Sequence, residues 1–209
     1  MIIGITGSFG SGKTTVANMF KKHGFRVINA DKLYHGLYEN EKPLRKKILE
    51  EFKTLNRDKI KKIVFKDYKK LKRLNVITHP IIIKSIKKEI NKIKKHYKRK
   101  TMNKKINEKN LLKIKNKNKI IIDAPLLIEA KAQKLVDKII VVKCSKKEQI
   151  KRLLKNKKYS KKEIEQIIKS QMPLRGKIKR AGFVVDNSKD LDHSKKQVKD
   201  IISILNSIR

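Results

Sequence analysis

The stretch GITGSFGSGKTTVANMF, residues 4–20, holds Gly7, Gly10 and Gly12 within six residues and sets Lys13, Thr14 and Thr15 directly behind them. Before it runs the apolar segment MIIGIT (1–6). After it Val16, Met19 and Phe20 recur at helical spacing over about 13–22, and Gly24 suits a helix stop. Glycines between a strand pattern and a helix pattern let backbone N–H groups turn inward and approach an anion with no Cβ in the way. The helix N-terminus adds partial positive charge at the same point.

Gly7 to Thr14 satisfies G-x-x-x-x-G-K-[ST] in the strand-then-helix context that gives the motif its meaning. Gly7, Ser8, Phe9, Gly10, Ser11, Gly12, Lys13, Thr14 and Thr15 are therefore expected to bind the phosphates of ATP. Lys13 would reach the β- and γ-phosphates, and the Thr14 hydroxyl would hold Mg²⁺. A chance glycine-rich turn is the competing reading, and a full match in this context argues against it. The cradle alone does not distinguish GTPase, ATPase and kinase.

Working outward, four more apolar runs read as strands: RVINA (26–30), KIIIDA (119–124), KIIVVKC (138–144) and GFVVDN (182–187). They are Ile/Val-rich without strict alternation, as in a parallel sheet covered on both faces. Helical segments separate them, which points to an α/β fold. Residues 40–118 carry no strand signal. Leu44, Ile48, Leu49 and Phe52, then Ile60, Ile63 and Val64, then Ile82, Ile83, Ile86, Ile90 and Ile93 recur at helical spacing. The end of this insertion, 98–118, is a Lys/Asn-rich tract expected to be a solvated extension. Segment 146–176 reads as polar helix, and a last helix is expected over about 193–208.

The bulk numbers narrow the function classes. The chain has 209 residues, enough for one buried core with an inserted lobe. No apolar run is long enough to span a membrane, and MIIGITGS lacks the basic n-region of a secretory leader. A single cysteine, Cys144, excludes an internal disulfide and a multi-cysteine zinc site, so a reducing cytoplasm is the expected location. Lys+Arg total 58 against 19 acidic residues, a formal charge of +39. That charge suggests a polyanion partner. Yet the lysines are spread along the chain, they come with abundant Ile and Asn as AT-rich codons would produce, and aromatics are only 5%. A single-strand binder is expected to carry aromatic stacking platforms. Nucleic acid is therefore not the expected partner.

Two acids end strand patterns, where open α/β sheets bind ligands: Asp31 after VINA and Asp123 after III. Phosphoryl transfer needs a group that orients the attacking hydroxyl and help for the metal. Asp31 is placed for the first task and Asp123 for the second. Spacing leaves two alternatives open: Asp31 as the cap of a helix starting at Lys32, and Asp123 as a cap or turn residue before Pro125.

At this point the chain resembles the dephospho-coenzyme A kinase family. HGFRVINADKLYHGLY resembles the family stretch ending in Asp-Ala-Asp, and THPII (78–82) its His-Pro element. IIIDAPLLIE (120–129) resembles its Asp-x-Pro-Leu-Leu-x-Glu signature. KKEQIKRLL (146–154) carries its Gln-x-x-Arg, and QMPLRGKIKRAGFVVDN (171–187) its Gln-x-Pro-x-x-x-Lys and terminal Asp-Asn. These elements stand in family order over about 1–190.

The resemblance implies transfer of the ATP γ-phosphoryl to the ribose 3′-hydroxyl of dephospho-coenzyme A, the last step of coenzyme A synthesis. It implies a P-loop kinase fold: a five-stranded parallel sheet of order 2-3-1-4-5 flanked by helices. It divides the chain into a nucleotide core (1–39, 116–150 and 177–209), a helical substrate lobe (40–115) and a lid (151–176). Asp31 would be the catalytic base beside Lys13. Arg152 and Asn187 would lie on the ATP side. His79, Pro125, Leu126, Leu127 and Glu129 would line the acceptor side, and Thr14 and Asp123 would serve Mg²⁺. The alternatives are another small-molecule or nucleoside P-loop kinase and, further off, a nucleic-acid-binding P-loop protein.

Three positions depart from the family pattern. The first acid of Asp-Ala-Asp is Asn29, a second lid arginine is replaced by Asn156 followed by Lys157 and Lys158, and Ala-Asp before the fifth strand reads Ala181-Gly182. Asn29→Asp restores a family acid and is not expected to harm activity. Other residues have plainer readings. Cys144 is a small buried hydrophobe. His23, His35, His96 and His193 lie on the surface. His79 has a helix-start cap as its alternative, and Gln149 with Arg152 a surface pair.

Overall fold

The computed structural model describes residues 1–102, 118–156 and 159–208. Strands β1 (Ile2–Gly7), β2 (Arg26–Asn29), β3 (Ile120–Asp123), β4 (Lys138–Lys143) and β5 (Phe183–Asp186) form one parallel sheet of order β2-β3-β1-β4-β5. The expected order is met. The strands are slightly shorter or shifted relative to the apolar runs, so Asp31 and Cys144 fall just beyond strand ends.

Successive side chains of a strand face opposite ways. Ile3, Ile5, Ile121 and Val142 pack with Val16 and Phe20 of α1 (Lys13–Lys22) and with Val198 and Ile202 of α9 (Leu191–Ser207). Ile28, Ile120 and Ile122 face the other way, onto Ile86 and Ile90 of α5 (Tyr68–Met102). Two covered faces explain why the strands show no polar alternation.

Among the described residues the insertion carries helices joined by short loops and no strand. It comprises α3 (Lys42–Phe52), α4 (Arg57–Lys66) and α5. Leu44, Ile48, Phe52, Ile60 and Val64 form its core with Tyr38 of α2 (Ala30–Asn40). The lobe's packing thus begins inside α2, upstream of residue 40. The tract 98–118 lies largely outside the described residues, as do Lys157 and Lys158; its first residues, 98–102, continue α5. The helix-start reading of His79 is corrected, because His79 and Pro80 sit well inside α5. Pro80 offers no N–H to the Val76 carbonyl one turn back, while Thr78 Oγ1 donates to the Leu74 carbonyl at 2.8 Å. The expected last helix starts two residues early, at Leu191, because Asp190 caps it through the His193 N–H.

After β4 the chain forms α6 (Lys146–Lys155), α7 (Lys161–Ser170) and the short α8 (Leu174–Ile178). Ser160 and Glu163 make a reciprocal capping box at the start of α7. Among the described residues, no helix is long and apolar enough to cross a membrane.

Candidate active site

The glycine loop joins β1 to α1. A Cβ on Gly7 would stand 2.2 Å from the Val142 carbonyl oxygen of the neighbouring strand, so only glycine fits there. Gly12 caps α1 at φ +86°, a left-handed conformation that glycine adopts without strain. Lys13 is buried and donates from Nζ to the Ser8 carbonyl at 2.8 Å, lying along the loop where phosphate oxygens would take that bond instead. Burial lowers its ammonium to about 8; the Asp123 charge opposes this and the Lys177 charge adds to it.

Asn187 is buried beneath the loop. Its Nδ2 donates to the Ser11 carbonyl at 2.9 Å, and its Oδ1 accepts from Ser194 Oγ at 2.8 Å. It supports the cradle's backbone. Arg152 pairs with Glu148 at 3.1 Å, and its guanidinium lies 3.8 Å from where a Gly12 Cβ would stand, above the loop. Gln149 is buried, which corrects the surface-pair reading: its Nε2 donates to the Phe9 carbonyl. Gln171 Oε1 accepts from the Phe9 N–H at 2.9 Å, and Tyr159 meets the Phe9 ring edge-on at 5.3 Å. Three residues of the 149–171 region thus grip one loop residue.

On the far side of β1 the register aligns Asn29 with Asp123. Asp123 is buried, and its Oδ2 accepts from Thr14 Oγ1 and Asn29 Nδ2, both at 2.8 Å. Burial raises its carboxyl; Thr14, Lys13 and Asn29 pull it back. This is neither a cap nor a free turn residue. Asn29 is the cap of α2, accepting from the Lys32 N–H at 2.8 Å. The helix therefore begins at Ala30, and the reading of Asp31 as the cap is corrected. Asp31 occupies the first turn with its carboxylate free of capping duty. Although accessible, it stands in a concave cleft, and desolvation there, then the Asp123 charge, raises its carboxyl.

A cavity of about 320 Å³ opens beside Asp31, between α2, α5 and the loop after β3. Phe9, His79, Pro125, Leu126, Leu127 and Gln171 are among its walls, so it abuts the phosphate cradle. Its lining is mostly apolar. Burial lowers the His79 imidazole, with the Glu129 charge opposing. Glu129 does not line the cavity. Its Oε1 pairs with Lys177 Nζ at 2.8 Å and accepts from the Met172 N–H at 3.1 Å. Lys177 is fully buried and also donates to the Pro125 carbonyl at 2.9 Å and the Gly7 carbonyl at 3.4 Å. One ammonium therefore ties the exit of β1, the exit of β3 and the segment that follows α7.

A model of the dephospho-CoA kinase family matches residues 1–102 and 101–193. The chain belongs to the dephospho-CoA kinase family. A dephospho-CoA kinase of Aquifex aeolicus is 36% identical over 207 residues, covering 95% of this chain and 94% of that one. The dephospho-CoA kinase structure from Campylobacter jejuni superposes with a TM-score of 0.60 at 25% identity, covering 98% and 96% of the two chains. A Thermus thermophilus crystal structure shares the fold with a TM-score of 0.74 at 24% identity, over 100% and 98%.

Within this dephospho-CoA kinase fold, the residues singled out from sequence gather around one cleft. Lys13, Thr14 and Asp123 gather at the glycine loop, and Asp31, His79 and Pro125–Leu127 at the adjoining cavity. Lys177, Gln149 and Gln171 were missed as site residues. Lys177 and Gln171 were visible only as motif letters in 171–177, and Gln149 only in Gln-x-x-Arg. The oxygen donors suit Mg²⁺, which binds proteins through one or two carboxylates and takes its other ligands from phosphates and water. Among the described residues no group of three or more His, Cys, Asp or Glu is placed to hold a metal ion. Gly182 has room for a Cβ at ordinary contact distances, the nearest atoms being 3.6 and 3.7 Å away.

Proposed function

We propose that this dephospho-CoA kinase transfers the γ-phosphoryl of ATP to the ribose 3′-hydroxyl of dephospho-coenzyme A, giving ADP and coenzyme A, in a reducing cytoplasm. The observation that carries the assignment is the continuity of the two sites. Phe9 belongs to the phosphate cradle and also walls the acceptor cavity, where Asp31 stands. A hydroxyl held at Asp31 would face a γ-phosphoryl held by the loop.

The transition state is loose, so positioning and charge carry most of the catalysis. Lys13 leaves the Ser8 carbonyl for the β/γ oxygens and neutralises charge on the transferred group. Asp31 accepts a hydrogen bond from the attacking hydroxyl and takes its proton late; its raised carboxyl makes it a better acceptor than an ordinary aspartate. Asp123 and Thr14 would hold Mg²⁺, directly or through water, and the ion when bound supplies charge neutralisation across the β- and γ-phosphates. Arg152, on α6, covers the loop from the lid side. Asn29 orients Asp123 while capping the helix that presents Asp31.

The test is ADP release with and without dephospho-coenzyme A, with the product's phosphate position read by ³¹P and ¹H NMR. Acceptor-dependent ADP release with a 3′-phosphate product is expected. ADP release indifferent to the acceptor, or faster with a nucleoside, would refute the assignment.

A further inference from the structure

The face of α2 that carries Asp31 also carries Tyr34, His35 and Tyr38, spaced three, four and seven residues on, so they line one side of the helix. Tyr34 walls the acceptor cavity. Arg57, at the start of α4, reaches across to this face. Its guanidinium lies 6.0 Å from the Tyr34 ring centroid and 5.6 Å from that of Tyr38. It also contacts the His35 ring, with Nη2 3.0 Å from Nε2. Among the described residues no carboxylate pairs with Arg57. Arg57 and an imidazole can thus converge on a third group, beside the cavity and one turn from the proposed base.

One turn further along α4, Lys61 places its ammonium 3.7 Å from the centre of the Tyr159 ring, which in turn touches Phe9 of the loop. The cationic rim therefore runs between the acceptor cavity and the lid. Aromatic stacking holds Arg57 in place, and both its terminal nitrogens face the His35 ring nitrogens, so an anion takes the guanidinium fork, by which arginine binds phosphates bidentately, in exchange for the imidazole.

We propose that Arg57 and His35 form an anion subsite for the 5′-diphosphate of the acceptor, with Lys61 adding charge at its edge. This rests on the acceptor assignment above. In dephospho-coenzyme A the reacting 3′-hydroxyl and the 5′-diphosphate project from the same ribose. With the hydroxyl at Asp31, the diphosphate is drawn to the neighbouring turn of α2, the adenine enters the apolar cavity, and the pantetheine arm points outward. The subsite selects an acceptor carrying a diphosphate over a plain nucleoside. The donor triphosphate is the other source of the same chemistry, and kinetics separate the two.

The test varies both substrates for wild type, Arg57→Met and Arg57→Lys. Methionine keeps an apolar stem against Tyr34 and Tyr38 and removes the charge. Lysine keeps a point charge without the fork, and serves if the methionine variant fails to fold. For Arg57→Met the KM for dephospho-coenzyme A should rise by roughly tenfold or more, the scale of one lost charge-assisted hydrogen bond. The KM for ATP should stay within about twofold, with Arg57→Lys intermediate for the acceptor. The wild-type acceptor KM should also climb with salt more steeply than the variant's. An unchanged acceptor KM in a folded variant overturns the subsite while leaving the reaction in place. A loss expressed in the ATP KM assigns the cluster to the donor and also overturns it. A wild type unable to use dephospho-coenzyme A sinks the reaction and the subsite together.

Discussion

Replacing Asn29 with aspartate puts a second carboxylate oxygen against Asp123. The present contact is Nδ2 to Oδ2 at 2.8 Å. Two full charges at that distance repel by roughly 6 kcal/mol at an effective dielectric near 20. The pair escapes by sharing one proton. Holding a carboxyl of ordinary value near 3.9 protonated at pH 7 costs about three units at about 1.4 kcal/mol each, roughly 4 kcal/mol as a ceiling. The cap on α2 survives, because either side chain presents an oxygen to Lys32 N–H. A loss of about 2–4 kcal/mol at pH 7, or roughly 5–15 °C in Tm for a chain of this size, is expected without divalent metal. The sign with pH follows from the raised folded pKa: the penalty is largest at and above that value and shrinks as pH falls toward the unfolded value, so the gap between the melts should narrow at pH 5, to roughly 1.5 kcal/mol. Millimolar Mg²⁺ should recover most of the loss in the variant and little in wild type, and turnover with Mg·ATP should survive. The assay is thermal melting at pH 7 and 5, with and without Mg²⁺. A variant melting within about 2 °C of wild type at pH 7 without Mg²⁺ would refute the argument.

Asp31→Asn keeps the shape and removes the proton acceptor, so turnover should fall by roughly 10² or more with ATP affinity retained, as read by steady-state kinetics and calorimetry; wild-type turnover in this variant would remove Asp31 from the mechanism. Lys13 must be charged to hold phosphate, and its ammonium is lowered to about 8 in the free protein. ATP affinity should therefore be level below that pH and fall by about tenfold per unit above it, while Lys13→Ala binds weakly with a flat profile over the same range; a flat wild-type titration from pH 7 to 10 contradicts this. Lys177→Met strands the Glu129 carboxylate and should cost about 3–5 kcal/mol in urea unfolding, part of it restored by Glu129→Gln in the same chain; a single variant as stable as wild type would show that the pair carries no net stability.

Some of this protein was legible in a line of letters because the deciding contacts are local. Gly7 to Thr14 is one contiguous loop, and its glycines are explained by backbone geometry that a sequence pattern encodes directly. The Ile/Val runs and the helical spacing of Ile82, Ile86 and Ile90 reported buried faces, and with the family motifs they led to the parallel sheet and its order.

The remainder waited for tertiary structure because it depends on residues far apart in the chain. Asn29 reads as a weakened acid until β2 and β3 are in register, when it becomes a donor to Asp123, 94 residues away, and a helix cap. Glu129 reads as an acceptor-side ligand until Lys177 returns behind the lid and takes its carboxylate, along with carbonyls 52 and 170 residues distant. Gln149 and Arg57 look like ordinary polar positions on solvated helices; their meaning lies in Phe9, His35 and two tyrosines that α6 and α4 are packed against. Hydrophobic periodicity records which face of a helix is buried. It carries no record of which backbone carbonyl or ring a buried or half-buried polar group will meet, because that partner is chosen only when the elements close on one another.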